Sequence, residues 1–294
     1  MKLTNKNYPL ILFKGMLMGL ADLVPGISGG TIALITGVYK DLITALNNIS
    51  ISNISNNLFK NFKSKKFDIL SVLGLGIVLS IVLFSNTILF LLENYNNQIS
   101  AFFFGLIICS VYVLLKKVNV IKLYDIIILL FSSFTVYKLL QINPFDVEIG
   151  MTYIFICGFI CSCAMILPGI SGSYILLVLG AYQFMLKKLS SIFINESDSI
   201  IYILTFATGA ILGILSFSRL IKWLFKNFED KTLIVLIGFI LGSVTRIIPS
   251  MDLGVSPVTN FYNFFVSDVS LFLWVIVGST TILALNMIGK ENEV

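Results

Sequence analysis

Apolar runs, each closed by a polar cluster or by Gly and Pro, follow one another along almost the whole chain. Ten are delimited: 8–24, 27–46, 67–92, 100–117, 123–140, 152–168, 170–188, 199–226, 232–249 and 268–289. Runs of this kind predict membrane helices, and a full crossing takes about 20 apolar residues. The first, second, sixth and seventh segments are short, and each pair is joined only by a Pro-Gly break, Pro25-Gly26 or Pro168-Gly169. Each pair predicts either a re-entrant hairpin, the form expected here, or two broken helices that cross. A pair adds zero or two crossings either way, so the topology of the rest is unaffected.

The chain also repeats itself. The stretch from Leu23 to Tyr39, LVPGISGGTIALITGVY, returns as ILPGISGSYILLVLGAY from Ile166 to Tyr182. Pro25 and Pro168 are 143 positions apart, and nine of the fifteen positions from Pro25 to Tyr39 are identical. A second block aligns without gaps at an offset of 133, pairing Gly76 with Gly209, Phe84 with Phe217, Ser85 with Ser218, Gly105 with Gly238 and Ser110 with Ser243. The chain is therefore expected to divide into a first repeat, 1–140, and a second, 141–294, with five segments each. An odd number of crossings sends the two copies through the membrane in opposite senses. The expected fold is an all-α polytopic membrane protein of two inverted-topology repeats, each opening with a Pro-Gly-broken helix pair. Sites in such folds form near the midplane, where broken helices of the two repeats meet.

Composition agrees and removes chemistry. Of 294 residues, 57 % are hydrophobic and 12 % charged, against about 45–50 % and about 25 % in soluble domains. Mean hydropathy is +0.97. There is no histidine, which excludes Ser-His-Asp triads and His-ligated zinc. Cys109, Cys157, Cys161 and Cys163 lie in apolar stretches without a CxxC pair and read as small packing residues. No GxxxxGK[ST] motif of a nucleotide-driven pump occurs, and no metal or cofactor is implied. The net charge of +5 does not point to nucleic acid, because its placement follows topology. Lys2, Lys6, Lys60, Lys63, Lys65, Lys66, Lys116, Lys117, Lys122, Lys222, Lys226, Lys231 and Lys290 gather on one side. The other side has Lys187 and Lys188 in its loops, with Lys138 and Arg246 at helix ends. By the positive-inside rule both termini are expected in the cytoplasm. No cleavable signal is expected, since Lys14 and Asp22 interrupt the first run.

The repeated turn carries candidate chemistry. Proline ends one helix, glycines admit unusual backbone, and the next helix starts within Ile27–Thr31 or Ile170–Tyr174. The first N–H groups of that helix lack partners and carry partial positive charge. Ser28, Gly29, Gly30 and Thr31, with Ser171, Gly172 and Ser173 opposite, then form a candidate anion site for phosphate or carboxylate. Plain helix capping by the hydroxyls is the simpler alternative, and cation coordination by freed carbonyls is another. Charges inside a membrane cost about 2.5–3.5 kcal/mol near a helix centre, so Asp22, Arg219 and Arg246 are candidates as well. Arg219 is expected to bind the ligand, with pairing to Asp22 as the alternative; Arg246 either binds or snorkels at the interface, and Lys14 is expected to snorkel toward the cytoplasmic interface. Guanidinium suits phosphate, because its donors match two oxygens at once.

The Asp22…Pro25-Gly-Ile-Ser-Gly-Gly-Thr31 signature, its Pro168-Gly-Ile-Ser-Gly-Ser173 echo and the ten-segment layout resemble the polyprenyl-phosphate transporter family, which includes bacterial undecaprenyl-phosphate translocases. The resemblance covers essentially the whole chain. It implies a flippase rather than an enzyme, returning undecaprenyl phosphate from the outer to the inner leaflet of the bacterial plasma membrane for reuse in envelope synthesis. A proton or sodium ion is a candidate coupling partner, with Asp22 as the proton site. Two alternatives stand beside it. An integral-membrane polyprenyl-diphosphate phosphatase carries a related motif, but with an arginine after the serine; here Gly29 and Gly172 follow, and no glutamate lies inside an expected span. An ion-coupled solute carrier also uses paired broken helices.

Overall fold

The computed structural model describes residues 8–24, 27–47, 65–190, 197–246 and 269–291. The Pro25-Gly26 break, most of the Asn-rich 47–57 loop and the basic stretch through Lys63 lie outside these residues. Among those described, twelve α-helices and one short 3-10 turn are present. The first six are α1 (Tyr8–Asp22), α2 (Gly29–Ile35), α3 (Tyr39–Asn47), α4 (Lys65–Asn94), α5 (Asn96–Leu115) and α6 (Leu123–Leu139). The second six are α7 (Met151–Ile166), α8 (Gly172–Val178), α9 (Tyr182–Ser190), α10 (Ser197–Asn227), α11 (Glu229–Ser243) and α12 (Leu271–Glu291), with the 3-10 turn Val244–Arg246 after α11.

Two expected segments are not single. The 27–46 run breaks into α2 and α3, and the 170–188 run into α8 and α9. At each break a glycine has positive φ, Gly37 at 78° and Gly180 at 71°, a conformation that side chains with a Cβ resist. No proline or polar cluster stands at either glycine, and the first polar residues, Lys40 and Gln183, come only after it, which is why the apolar pattern alone does not mark the breaks.

Among the described residues, three helical stretches are long and apolar enough to cross a membrane: Ile69–Asn94, Asn96–Leu115 and Asp198–Asn227. Met151–Ile166 and Leu271–Asn286 are shorter apolar helices. The exterior is apolar too, with Val82 on α4, Phe131 on α6, Leu204 on α10 and Leu273 on α12 all exposed. An apolar outer surface of this extent belongs in lipid. The chain is a multi-pass helical membrane protein. Its core gathers around α2, all seven residues of which are buried, and takes in Leu106 and Ile107 of α5 and Ile237 and Ile240 of α11.

Helices pair in matching ways in the two halves. α1 packs along α4 and α7 along α10, while α5 takes α12 and α11 takes α6. Small residues permit the approach, as membrane helices without a hydrophobic driving force require. A Cβ on Gly15 would strike the Leu73 carbonyl, and one on Gly158, at the matched position, would strike that of Phe206. Gly19 faces Ser80 across α1 and α4, and Ser162 faces Gly213 across α7 and α10, with the two residue types exchanged. The long α10 carries a small helix at each end. α3 meets its C-terminal end, where the Tyr39 and Phe225 rings lie 5.9 Å apart. α9 meets its N-terminal end, where Phe184 and Tyr202 lie 5.0 Å apart. From Tyr202 to Phe225 the helix rises about 34 Å.

Gly76→Val tests this packing, because its Cβ would run into the backbone of Leu12 and Met16. We expect a loss of about 1–3 kcal/mol, read as a lower Tm in detergent. Gly74→Ala on the same helix, where nothing lies within 4 Å of the added carbon, keeps the wild-type Tm or raises it slightly.

Candidate functional site

α2 packs against α1, and α1 holds both ends of it. At the start of α2, the Gly29 N–H donates to Asp22 Oδ1 at 2.6 Å and the Gly30 N–H to Ser28 Oγ at 3.2 Å. At its end, Lys14 Nζ donates to the carbonyl of Thr36, the C-cap residue, at 2.7 Å. Lys14 and Asp22 are about 12 Å apart along α1, and α2 is about 10 Å long. One helix thus presents a carboxylate to the positive end of its neighbour and an ammonium to the negative end. This corrects the expectation that Lys14 snorkels. Its side chain is 7 % exposed, because the carbonyl of the returning helix offers the partner that water would otherwise supply.

The second half follows the same plan with neutral groups. The Tyr153 hydroxyl donates to the carbonyl of Leu179, the C-cap of α8, at 2.6 Å. Met165 stands at the position matching Asp22, and its side chain lies against Gly172. Ser171 makes no side-chain cap; its Oγ instead sits 2.7 Å from that of Ser173.

The two turns meet. The Gly169 N–H donates to Thr31 Oγ1 at 2.9 Å, and the Tyr39 hydroxyl to the Ile166 carbonyl at 3.0 Å. A Cβ on Gly30 would sit 3.3 Å from that same carbonyl oxygen. Gly169 itself has φ +82°, and a Cβ there would lie 2.6 Å from the Phe239 carbonyl oxygen, so only glycine fits.

A cavity lies on each side of this seal, at opposite ends of α2. The first, of about 500 Å³, is lined by Asp22, Leu23, Val24 and Ile27 from the first turn. Gly169, Ser171, Ser173, Tyr174, Leu177 and Tyr182 line it from the second, with Leu140 and Ser243 completing the wall. The second, of about 360 Å³, is lined by Lys14, Thr36, Tyr39, Lys40, Asp41, Lys117 and Glu229 among others. Lys40 pairs with Glu229, which ties α3 to the start of α11, and stands over the Phe225 ring of α10.

Of the residues expected in the site, Asp22, Ser171 and Ser173 line the larger cavity. Ser28, Gly29, Gly30 and Thr31 are buried at the meeting of the turns, and Gly172 is buried behind the cavity. Arg219 is exposed on α10, outside the cavity wall and without an ion pair to Asp22. Arg246 closes the 3-10 turn three residues after the cavity-lining Ser243, and its side chain is not among those described. Tyr174, Tyr182 and Ser243 line the cavity without having been expected there. The repeat did signal two of them, since Tyr182 matches Tyr39 and Ser243 matches Ser110.

Fold and site together define a helical membrane protein whose central cavity is shared by two matched Pro-Gly turns. The chain belongs to the undecaprenyl phosphate translocase-like family, whose profile matches residues 18–260. It is similar to the polyprenyl-phosphate transporter of Vibrio cholerae serotype O1, 37 % identical over 253 residues, which is 83 % of this chain and 78 % of that one. It is also similar to the polyprenyl-phosphate transporter of Staphylococcus aureus, 33 % identical over 296 residues, covering 96 % of this chain and 97 % of the relative. No solved structure matches it.

Two substitutions test the geometry. Asp22→Ala uncaps α2 and is expected to cost about 0.5–2 kcal/mol, whereas Asp22→Asn keeps an acceptor and loses less. Tyr39→Phe leaves the Ile166 carbonyl without its partner, at about 1–3 kcal/mol. Both are read as Tm shifts in detergent.

Proposed function

We propose that this chain is a translocase for undecaprenyl phosphate or a related polyprenyl phosphate, carrying the headgroup from the outer to the inner leaflet of a bacterial plasma membrane for reuse in envelope synthesis. The observation that carries the reading is the cavity built jointly by the two turns. About 500 Å³ holds a phosphate headgroup but not a polyprenyl tail, so the tail stays in lipid while the headgroup crosses. Ser171, Ser173, Tyr174, Tyr182 and Ser243 supply hydroxyls to the wall, and Arg246 lies close by in sequence. Ser28, Gly29, Gly30, Thr31 and Gly172 form the backbone behind it; Arg219 would serve only after a rearrangement of α10.

The two halves, 1–140 and 141–294, act in this reading as inverted repeats, and α1–α2 and α7–α8 as re-entrant hairpins. Two observations support it. α3 and α9 sit at opposite ends of α10, about 34 Å apart, which exceeds the roughly 30 Å hydrocarbon core. The Tyr39–Ile166 bond also has an unmade mirror image. The matched positions, Tyr182 and Leu23, both line the open cavity. Closing Tyr182 onto the Leu23 carbonyl while Tyr39 releases Ile166 would present the headgroup to the other side. Lys40, Lys117, Lys222 and Lys226 border pockets at the α3 end, in keeping with a cytoplasmic location for that end and for both termini.

Inward movement of an anion opposes an inside-negative potential by about 2.3 kcal/mol per charge per 100 mV. Consumption of the lipid inside, or a proton carried on Asp22, would offset this. The test is leaflet exchange of labelled undecaprenyl phosphate in liposomes, with free phosphate assayed from a diphosphate analogue. We expect exchange without phosphate release, and Asp22→Asn is expected to flatten its pH dependence. Phosphate release without exchange would replace the carrier with a hydrolase.

A further inference from the structure

The charge on Lys14 is more than its capping role needs. Tyr153 performs the same task at the C-terminus of α8 with a neutral hydroxyl. An ammonium buried to 7 % exposure in an apolar segment is costly, and a charge in such a place marks a functional group by default. Lys14 lines the cavity at the far end of α2, together with Lys40 and Lys117. Two carboxylates, Asp41 and Glu229, share the wall, and Glu229 is already held by Lys40. The side chains of that pair are 52 % and 56 % exposed, and exposed pairs are individually weak, so an arriving anion can compete for Lys40. Among the described residues lining the larger cavity there is no basic side chain.

We propose that the cavity of Lys14, Lys40 and Lys117 is a second anion site, taking the phosphate group of a lipid monoester or of the free ion. Lys14 is its fixed charge. Lys117 adds a second, and Lys40 joins by leaving Glu229. For the lipid, this rests on the translocase reading: the headgroup would leave a hydroxyl-lined cavity for one lined by ammonium groups, and its arrival would loosen the α3–α11 contact.

The experiment titrates the purified full chain, in detergent, with farnesyl phosphate and separately with inorganic phosphate, using calorimetry. The variants are Lys117→Gln, on an exposed residue, and Lys14→Gln, which keeps a donor for the Thr36 carbonyl. Losing one charge-assisted contact is expected to weaken phosphate binding about tenfold or more in each variant. Farnesyl phosphate binding more tightly than inorganic phosphate identifies the site as one for a lipid headgroup. Equal binding of the two, with the same dependence on the lysines, supports the anion site and identifies its ligand as the free ion. Wild-type affinity for both ligands in Lys117→Gln and in a folded Lys14→Gln overturns the proposal. Leaflet exchange by the wild-type chain is measured alongside. Its absence counts against the translocase reading, while exchange with lysine-independent binding counts against the second site alone.

Discussion

Lipid offers no partner to an unpaired backbone group, so any helix broken within the membrane must be satisfied by the protein itself. The rest of this structure is arranged around that constraint. The Gly29 N–H finds Asp22, the Thr36 carbonyl finds Lys14, the Gly169 N–H finds Thr31, and the Leu179 carbonyl finds Tyr153. Because Thr31 and Tyr39 of one half serve Gly169 and Ile166 of the other, satisfying the backbone also fastens the halves together. The cavities at the two ends of α2 are what remains on either side of that junction.

The halves share a plan but not a charge pattern. Where the first half uses Asp22 and Lys14 to hold a short helix, the second uses Met165 and Tyr153. α3 closes against α10 through Tyr39 and Phe225 and against the start of α11 through the Lys40–Glu229 pair, whereas Tyr182 stands at the wall of an open cavity. A pair of matched elements, one engaged and one open, is what a two-state carrier would present in either of its end states. The surplus of charge in the first half gives the two ends of α2 different chemistry, hydroxyls at one and ammonium groups at the other.

Much of the fold was legible in the apolar pattern, because helix ends in this chain coincide with changes in polarity. The long helices α4, α5 and α10 fall within a few residues of their expected spans. The breaks at Gly37 and Gly180 are not legible, since no proline or polar cluster stands at either glycine and its backbone angle marks the turn. The repeat places the two Pro-Gly turns facing each other, and the Gly169–Thr31 hydrogen bond joins them. Sequence does not give helix rotation, so it does not show that Arg219, a candidate ligand-binding residue, is exposed on α10 outside the cavity wall. The burial of Lys14 escapes the sequence for a related reason. A lysine in an apolar run snorkels when water is its nearest partner, and only the return of α2 brings a carbonyl closer.

Alternating exposure of the proposed headgroup cavity is most directly tested by pairing Leu23→Cys with Tyr182→Cys, with the four native cysteines replaced. In liposomes containing undecaprenyl phosphate, a short thiol cross-linker should join this pair and stop leaflet exchange. In the same sample, a cysteine in place of Tyr39 should become reactive toward a water-soluble thiol reagent. Failure of the pair to cross-link during exchange, or a cross-linked protein that exchanges lipid at the uncross-linked rate, would contradict the two-state carrier.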